Sequence, residues 1–121
     1  MDAPRVLELL DHLSARDISV WIDGGWGVDA LLGHQTRPHD DLDLITRLDD
    51  LDEVEQALHE LGYVRDRRTV DNFAYLVDAA GHQVDVHAIT TPDTTDACPT
   101  EVGRILGREV PVSGLRGEGL G

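Results

Sequence analysis

The sequence has a single cysteine, Cys98, so one chain can form neither an internal disulfide nor a thiolate metal cluster. Aromatic residues are scarce, at 4% of the chain, which predicts a mostly aliphatic core. No apolar run is long enough to span a membrane, and the charged residues Asp2, Arg5 and Glu8 interrupt the place of a signal core. We therefore expect a cytoplasmic protein without a membrane partner.

Basic side chains are also few, since 24 acidic residues stand against 10 basic ones and give a formal net charge of -14. This charge opposes binding to nucleic acid and favours cationic partners, although solubility alone would also explain it. A chain of 121 residues can bury one hydrophobic core. We expect one domain over residues 1–112 and a flexible, glycine-rich tail over residues 113–121.

The spacing of apolar residues gives an expected order of elements along the chain. Helical spacing predicts helices at residues 4–15, 26–32 and 51–61. Alternation of apolar and polar residues predicts strands at residues 18–22, 41–46, 63–67, 73–77 and 83–89. Residues 108–112 are predicted to form an edge strand, because Pro111 cannot donate a ladder hydrogen bond. Residues 90–99, rich in Thr, Pro and Asp, are predicted to be a loop.

The acidic strand at residues 41–46 is the most informative segment of the chain. Successive side chains of a strand point to opposite faces, so Asp41 and Asp43 share one face. If the strand that carries Asp85 lies beside them, three carboxylates converge where a divalent cation can bind. A solvent-facing edge strand with scattered carboxylates is the alternative, but His87 on the same polar face as Asp85 favours the metal site. Asp40 points away from Asp41, which predicts a structural or capping role.

Two glycines, Gly24 and Gly25, lie where a predicted strand meets a predicted helix. Backbone amides at a helix N-terminus attract anions, and glycine lets a phosphate approach the main chain. A Gly-Gly pair alone more often marks a tight turn, but the order strand, Gly-Gly, helix and acidic strand favours a phosphate site. Asp29, in the helix that follows, is interpreted as a helix-surface carboxylate.

Three segments, taken in this order, resemble the aminoglycoside and lincosamide nucleotidyltransferases. They are Gly24-Gly25-Trp26, Arg37-Pro38-His39-Asp40-Asp41-Leu42-Asp43-Leu44 and Val84-Asp85-Val86-His87. These enzymes belong to the DNA polymerase beta-like nucleotidyltransferase superfamily, and the resemblance runs from about residue 21 to residue 89. It implies a minimal nucleotidyltransferase domain with the polymerase beta-like palm fold, an α/β (α+β) fold in which helices flank a mixed β-sheet. It also implies transfer of a nucleoside monophosphate, AMP from ATP or the equivalent from another nucleoside triphosphate, to a hydroxyl.

The resemblance assigns catalytic and metal-binding roles to the three aspartates. Asp41 and Asp43 match the pair that holds two Mg²⁺ ions. Asp85 matches the third carboxylate, which either completes a metal site or takes the proton from the attacking hydroxyl. In this mechanism the hydroxyl attacks the α-phosphorus in line, and pyrophosphate leaves.

The resemblance also assigns residues to nucleotide binding. Gly24 and Gly25 match the phosphate-binding turn of the family. Arg37 and His39 match positions just before the acidic pair, where a cation near the phosphates is useful. A solvated pair of loop residues explains Arg37 and His39 equally well.

The implied acceptor is a small hydroxylated molecule, an aminoglycoside or a lincosamide, and a cationic acceptor agrees with the acidic charge. The chain ends soon after Val112, earlier than the family pattern. Either a second subunit of a homodimer completes the acceptor site, or transferase activity is weak or lost. Two other functions stay open, an antitoxin that binds and nucleotidylates a partner toxin and a nucleotide-binding domain without turnover. The Gly-Gly-Trp turn resembles the antibiotic enzymes more than the Gly-Ser turn of the antitoxins.

Overall fold

A computed structural model describes residues 1–90 and 100–114. The elements in chain order are α1 (Ala3–Ala15), β1 (Val20–Asp23), α2 (Gly24–Leu32), β2 (Asp41–Arg47), a 3-10 turn (Leu48–Asp50), α3 (Leu51–Glu60), β3 (Val64–Arg65), β4 (Phe73–Val77), β5 (Gln83–Ile89), β6 (Thr100–Ile105) and β7 (Arg108–Ser113). The seven strands form one sheet in the order β3-β4-β5-β2-β1-β7-β6. Strand β2 is parallel to β5 and β1 is parallel to β7, while the other pairs are antiparallel. The predicted α/β fold with a mixed sheet is confirmed.

The two longer helices form where the sequence predicts them. Asp2 caps α1 by accepting a hydrogen bond from the Arg5 amide at 3.0 Å, and Pro4 lies in the first turn. The apolar stripe of each helix is buried, and α1 and α3 lie against each other and the sheet. Their fully buried residues are Val6, Leu9, Leu13, Val54, Ala57 and Leu58. Within the described residues, no helix is long and apolar enough to cross a bilayer.

The two faces of the sheet differ in what covers them. Leu42 and Leu44 of β2 are fully buried in a core to which all three helices contribute. Asp43, the residue between them, points to the opposite face and so lies outside this core. On that opposite face Trp21 and Ile45 form a second, small cluster, which consists of strand residues alone. We call this side the open face.

The structure corrects two predictions near the chain's second half. Strand β7 is not an edge strand, because it lies between β1 and β6. The missing N–H of Pro111 is tolerated because β7 pairs with β1 only at Val112, one residue further along. Strand β6 was not predicted, since Gly103 and charged residues break its apolar alternation.

Smaller differences concern element ends. Helix α2 begins at Gly24, two residues before the predicted start, and β3 covers only two residues of the predicted strand. Strand β7 includes Ser113, which is buried. Most of the predicted loop and of the predicted tail lies outside the described residues.

Gly103 is where β6 packs directly on α2. A Cβ added there would lie 2.7 Å from the Cβ of Ala30 and 2.8 Å from its carbonyl carbon. We therefore expect Gly103→Ala to lower the free energy of unfolding by about 1–3 kcal/mol, because the helix backbone must move away. Val102→Ala, at a 64% exposed position of the same strand, is the control and should change it by less than about 0.5 kcal/mol. Urea denaturation measures both, and equal stabilities of the two variants would contradict the packing described here.

Candidate active site

Strands β2 and β5 bring the three predicted carboxylates together. Asp43 lies directly opposite Asp85 in the parallel pair, and Asp41 lies on the same face two residues earlier. Asp43 also lies opposite Asp23 at the end of β1. The strand register thus places Asp41, Asp43 and Asp85 on one face of the sheet, whereas their roles at a metal or catalytic site stay predictions.

Asp23 is a fourth carboxylate of this group that the sequence interpretation missed. Its strand runs antiparallel to β2, and this register cannot be read from one sequence. The alternation of β1 does place Asp23 on the same face as Trp21, which is the only local signal. The site therefore has a higher density of negative charge than the sequence predicted.

This crowding changes the proton affinity of the central carboxyl group. Burial, then the negative charges of Asp85 and Asp41, raise the pKa of Asp43 to about 6. Burial also raises the pKa of Asp85, although the Gln83 side-chain amide, which donates to it at 2.7 Å, opposes the shift. The free protein thus holds a destabilising cluster of like charges that a cation would relieve.

The donor set suits a hard divalent cation, because Asp41, Asp43 and Asp85 offer carboxylate oxygens on one face. In residues 1–90 and 100–114, however, no three His, Cys, Asp or Glu side chains converge as a preformed metal site. The Asp43 carboxylate is turned toward Gly24, and Asp85 is hydrogen-bonded to Gln83. The side chains of Asp43 and Asp85 already contact each other, so a site with three donors requires Asp41 to turn toward them.

Gly24 begins α2 in direct contact with the acidic strand. Its φ is +63°, and a Cβ at this position would overlap the carboxylate of Asp43. The N-cap residue of this helix, Asp23, makes no side-chain capping hydrogen bond. The predicted glycine turn is thus the first turn of a helix, with its amides beside the carboxylates. An anion held there would lie next to a cation held by Asp43.

Asp29 is not a helix-surface carboxylate, and this interpretation was wrong. Its side chain is buried and lies 2.6 Å from Nε2 of His39, and it accepts from the Thr36 amide at 2.9 Å and hydroxyl at 2.7 Å. Burial alone would raise the pKa of Asp29, but the hydrogen bonds from His39 and Thr36 lower it to about 2. These contacts could not be predicted from the sequence, because they join α2 to the loop that follows it.

The two predicted nucleotide-binding residues before β2 have different surroundings. His39 is buried, so it is not a solvated loop residue, and its ring packs against Trp26 with centroids 5.2 Å apart. Arg37 is exposed, and its side chain makes no hydrogen bond or ion pair with the described residues. Contact of either residue with a nucleotide stays a prediction.

An aromatic strip, formed by Tyr75, Phe73 and His87, lies on the open face beside Asp85. Tyr75 is opposite Asp85 in the β4–β5 pair, and Phe73 is opposite His87. Phe73 stacks on both neighbouring rings, with centroid distances of 4.9 and 5.2 Å. The guanidinium carbon of Arg68 lies 4.7 Å from the centroid of Tyr75. The strip was not predicted as part of the site, although strand alternation places its members on the polar face.

The raised pKa of Asp43 has a consequence for stability in Mg²⁺-free buffer. Asp43 has a pKa of about 6 in the folded protein and its ordinary pKa of 3.8 in the unfolded chain, so the folded state binds the proton more tightly. The free energy of unfolding should therefore fall as pH rises from about 4 to about 6. Asp43→Asn should flatten this slope and raise stability at pH 7 by about 1–2 kcal/mol, after allowance for solvent screening. Asp49→Asn, at an exposed carboxylate before α3, is the control and should leave the slope unchanged. Urea denaturation at several pH values measures the slope, and an unaltered slope in Asp43→Asn would contradict this prediction.

Comparison with known proteins agrees with this geometry. A family model described as aminoglycoside-2''-adenylyltransferase matches residues 5–116. A lincosamide resistance protein of Staphylococcus haemolyticus is 32% identical over 88 residues, which are 73% of this chain and 53% of that protein. A 2''-aminoglycoside nucleotidyltransferase of Klebsiella pneumoniae is 40% identical over 65 residues, which are 51% of this chain and 37% of that protein. The chain thus spans about half or less of the length of these relatives.

Two solved structures have a similar fold. The crystal structure of ANT(2'')-Ia in complex with adenylyl-2''-tobramycin matches 92% of this chain and 68% of its own, with a TM-score of 0.79 and 27% identity. The lincomycin-bound structure of the lincosamide antibiotic adenylyltransferase LnuA matches 93% of this chain and 80% of its own, with a TM-score of 0.79. Because the identity is only 24%, this match is evidence for the fold alone. Because the family model covers nearly the whole sequence, the chain belongs to the aminoglycoside-2''-adenylyltransferase family.

Proposed function

We propose that this chain carries the transfer site of an antibiotic nucleotidyltransferase. It moves a nucleoside monophosphate, AMP from ATP in the first instance, to a hydroxyl of an aminoglycoside or a lincosamide. The observation that carries this proposal is the strand register that places Asp41, Asp43 and Asp85 together beside Gly24. Metal-binding carboxylates and anion-binding amides are the two parts that nucleotide transfer needs in one place.

The first turn of α2 would hold the phosphates of the nucleotide. Gly24 and Gly25 leave the main chain accessible, and the helix N-terminus favours negative charge. Asp41 and Asp43 would hold Mg²⁺, for which we propose two ions, and Asp85 would either be a third donor or stay free to act as the base. When bound, Mg²⁺ supplies the positive charge that both the phosphates and these carboxylates lack. Arg37, exposed and unpaired among the described residues, is free to approach the phosphates.

The transfer itself exchanges one phosphorus–oxygen bond for another. The acceptor hydroxyl oxygen bonds to the α-phosphorus while the bond from that phosphorus to the pyrophosphate oxygen breaks. The hydroxyl proton must leave at the same stage, and Asp85 is the candidate base. Its raised pKa supports this role, because a carboxylate with a higher pKa accepts a proton more readily, although the hydrogen bond from Gln83 opposes the shift.

The aromatic strip beside Asp85 supports a ring-shaped acceptor. Tyr75 and Phe73 offer apolar ring surface next to the candidate base, and the neighbouring carboxylates attract amino groups. The similar structure of ANT(2'')-Ia holds adenylyl-2''-tobramycin, and the lincosamide resistance protein is 32% identical over 88 residues, which supports acceptors of this class here. A homodimer in which a second subunit completes the acceptor site is a further part of the proposal.

The nucleotide site is tested by isothermal titration with a non-hydrolysable ATP analogue, with and without Mg²⁺. We expect the protein to bind only with Mg²⁺, and the Asp41→Ala/Asp43→Ala variant to bind at least about a hundredfold more weakly, since two charged ligands are lost. Asp49→Ala/Asp52→Ala, at exposed carboxylates, is the matched control and should bind normally.

No binding by the folded protein, or binding that ignores Asp41 and Asp43, would overturn this proposal. Binding without pyrophosphate release in the presence of any aminoglycoside or lincosamide would favour a nucleotide-binding domain without turnover. Recovery of one stable protein partner that becomes nucleotidylated would favour the antitoxin function.

The acceptor site is tested separately by Tyr75→Ala. Loss of the ring removes a stacking surface, so we expect the KM of the acceptor to rise about three- to tenfold, while the KM of the nucleotide stays the same. Val77→Ala is the control, since Val77 points to the same face of β4 outside the aromatic strip. Steady-state pyrophosphate release measures both constants, and an equal rise in the two KM values would place Tyr75 outside the acceptor site.

A further inference from the structure

A buried ion pair lies behind the first turn of α2, and the proposed chemistry does not use it. Oδ2 of Asp29 lies 2.6 Å from Nε2 of His39. The two side chains are only 3% and 5% exposed, so neither Asp29 nor the Nε2 edge of His39 is free to serve a ligand. Burying a carboxylate and an imidazole removes polar groups from water, which is costly unless they are hydrogen-bonded to each other, as they are here. Because water reaches neither side chain, the pair must have a role inside the structure.

Asp29 fixes the connection between α2 and β2. Its two carboxylate oxygens accept three hydrogen bonds, from the Thr36 amide, the Thr36 hydroxyl and His39. Thr36 and His39 lie at the middle and end of this connection, and Asp41 follows His39 by two residues. Asp29 of α2 thus ties down the segment that precedes the acidic strand, which the Met1 ammonium also holds by donating to the His39 carbonyl at 2.7 Å.

His39 transmits this placement to the glycine turn. A Cβ added to Gly25 would lie 2.6 Å from both Cε1 and Nδ1 of the His39 ring, so the ring lies directly against the Gly25 main chain. Gly24, the preceding residue, touches the carboxylate of Asp43 in the same way. The glycine turn is therefore held between the ring of His39 and the acidic strand.

We propose that Asp29 is a positioning residue for nucleotide binding. Through His39 and Thr36 it sets the spacing between the first-turn amides of α2 and the carboxylates of β2. The functional part of this inference rests on the proposed function, because it matters only if phosphate binds at that turn. The structural part, that Asp29 orders both segments, stands independently.

The protein contains a matched control for a purely structural role. Asp78 is also buried at 7% side-chain exposure, lies 2.9 Å from a histidine, His82, and accepts from Arg5 at 2.8 Å. It also accepts from the backbone amides of Ala80 and His82. Asp78 ties the turn between β4 and β5 to α1 and does not contact α2. Its loss should destabilise the fold without loosening the glycine turn.

The experiment compares Asp29→Ala, Asp29→Asn and Asp78→Ala by amide hydrogen exchange and by titration with the ATP analogue and Mg²⁺. Asn can keep the geometry, since its amide oxygen accepts from His39 and the Thr36 amide while its amide N–H donates to the Thr36 hydroxyl. We expect Asp29→Ala to speed exchange at least tenfold in residues 24–27 and 40–43 and to weaken nucleotide binding at least tenfold. Asp29→Asn should restore most of both, and Asp78→Ala should change neither.

Thr36→Val removes one hydroxyl donor and provides a milder variant should Asp29→Ala fail to fold. We expect it to change exchange and binding in the same direction by about threefold, less than Asp29→Ala, because the hydrogen bonds from the Thr36 amide and His39 remain. Unchanged exchange at residues 24–27 in Asp29→Ala or Thr36→Val, or an equal effect of Asp78→Ala there, would overturn the positioning role. If the unaltered protein binds no nucleotide, the proposed function fails, whereas the exchange data still decide whether Asp29 orders the turn.

Discussion

The rest of the site depends on the repulsion between carboxylates around Asp43. Strand pairing fixes Asp23 and Asp85 directly opposite Asp43 on its two sides, and neighbouring residues of paired strands lie roughly 5 Å apart at Cα. The charges cannot separate without breaking the sheet, so their repulsion adds to burial, the larger cause of the raised pKa of Asp43. The N-terminus of α2, begun by Gly24, is the nearest feature with an opposite field. A cation or a phosphate-bound metal therefore meets a site already short of positive charge.

The sheet can sustain this repulsion because the opposite face of the same strands is deeply buried. Leu42 and Leu44 of β2 and Val84 and Val86 of β5 have no exposed surface. A slip of one residue in register would place aspartates in that core and leucines in water. The hydrophobic core therefore fixes which side chains reach the open face, and the unfavourable charge cluster is retained at the expense of some stability.

Features that depend on residues close together in the chain could be predicted from the sequence, whereas features that depend on distant segments could not. Alternation within β2 and β5 is local, and it was enough to place Asp41 and Asp43 on one face of β2 and Asp85 on the polar face of β5. That these faces belong to one mixed sheet was implied by the family resemblance. Contacts between distant segments were not accessible: the Asp29–His39 pair, the place of Asp23 beside Asp43, and β6 packed on α2 through Gly103. The edge position predicted from Pro111 failed for the same reason, since an edge is defined by a partner strand elsewhere in the chain.

The two halves of the proposed reaction differ in how completely the described chain provides them. The nucleotide half, the amides of α2 beside the carboxylates of β2 and β5, is held on both sides by buried contacts and is contained in residues 23–85. The acceptor half is a strip of three rings and one guanidinium on an open face. Stacking alone contributes only about 0.5–1.5 kcal/mol for each ring pair, so orientation of the acceptor must come mainly from charge near Asp85. Nucleotide binding should therefore depend on the rigid geometry behind Gly25, whereas acceptor preference should be open to change through substitutions on β4 and β5.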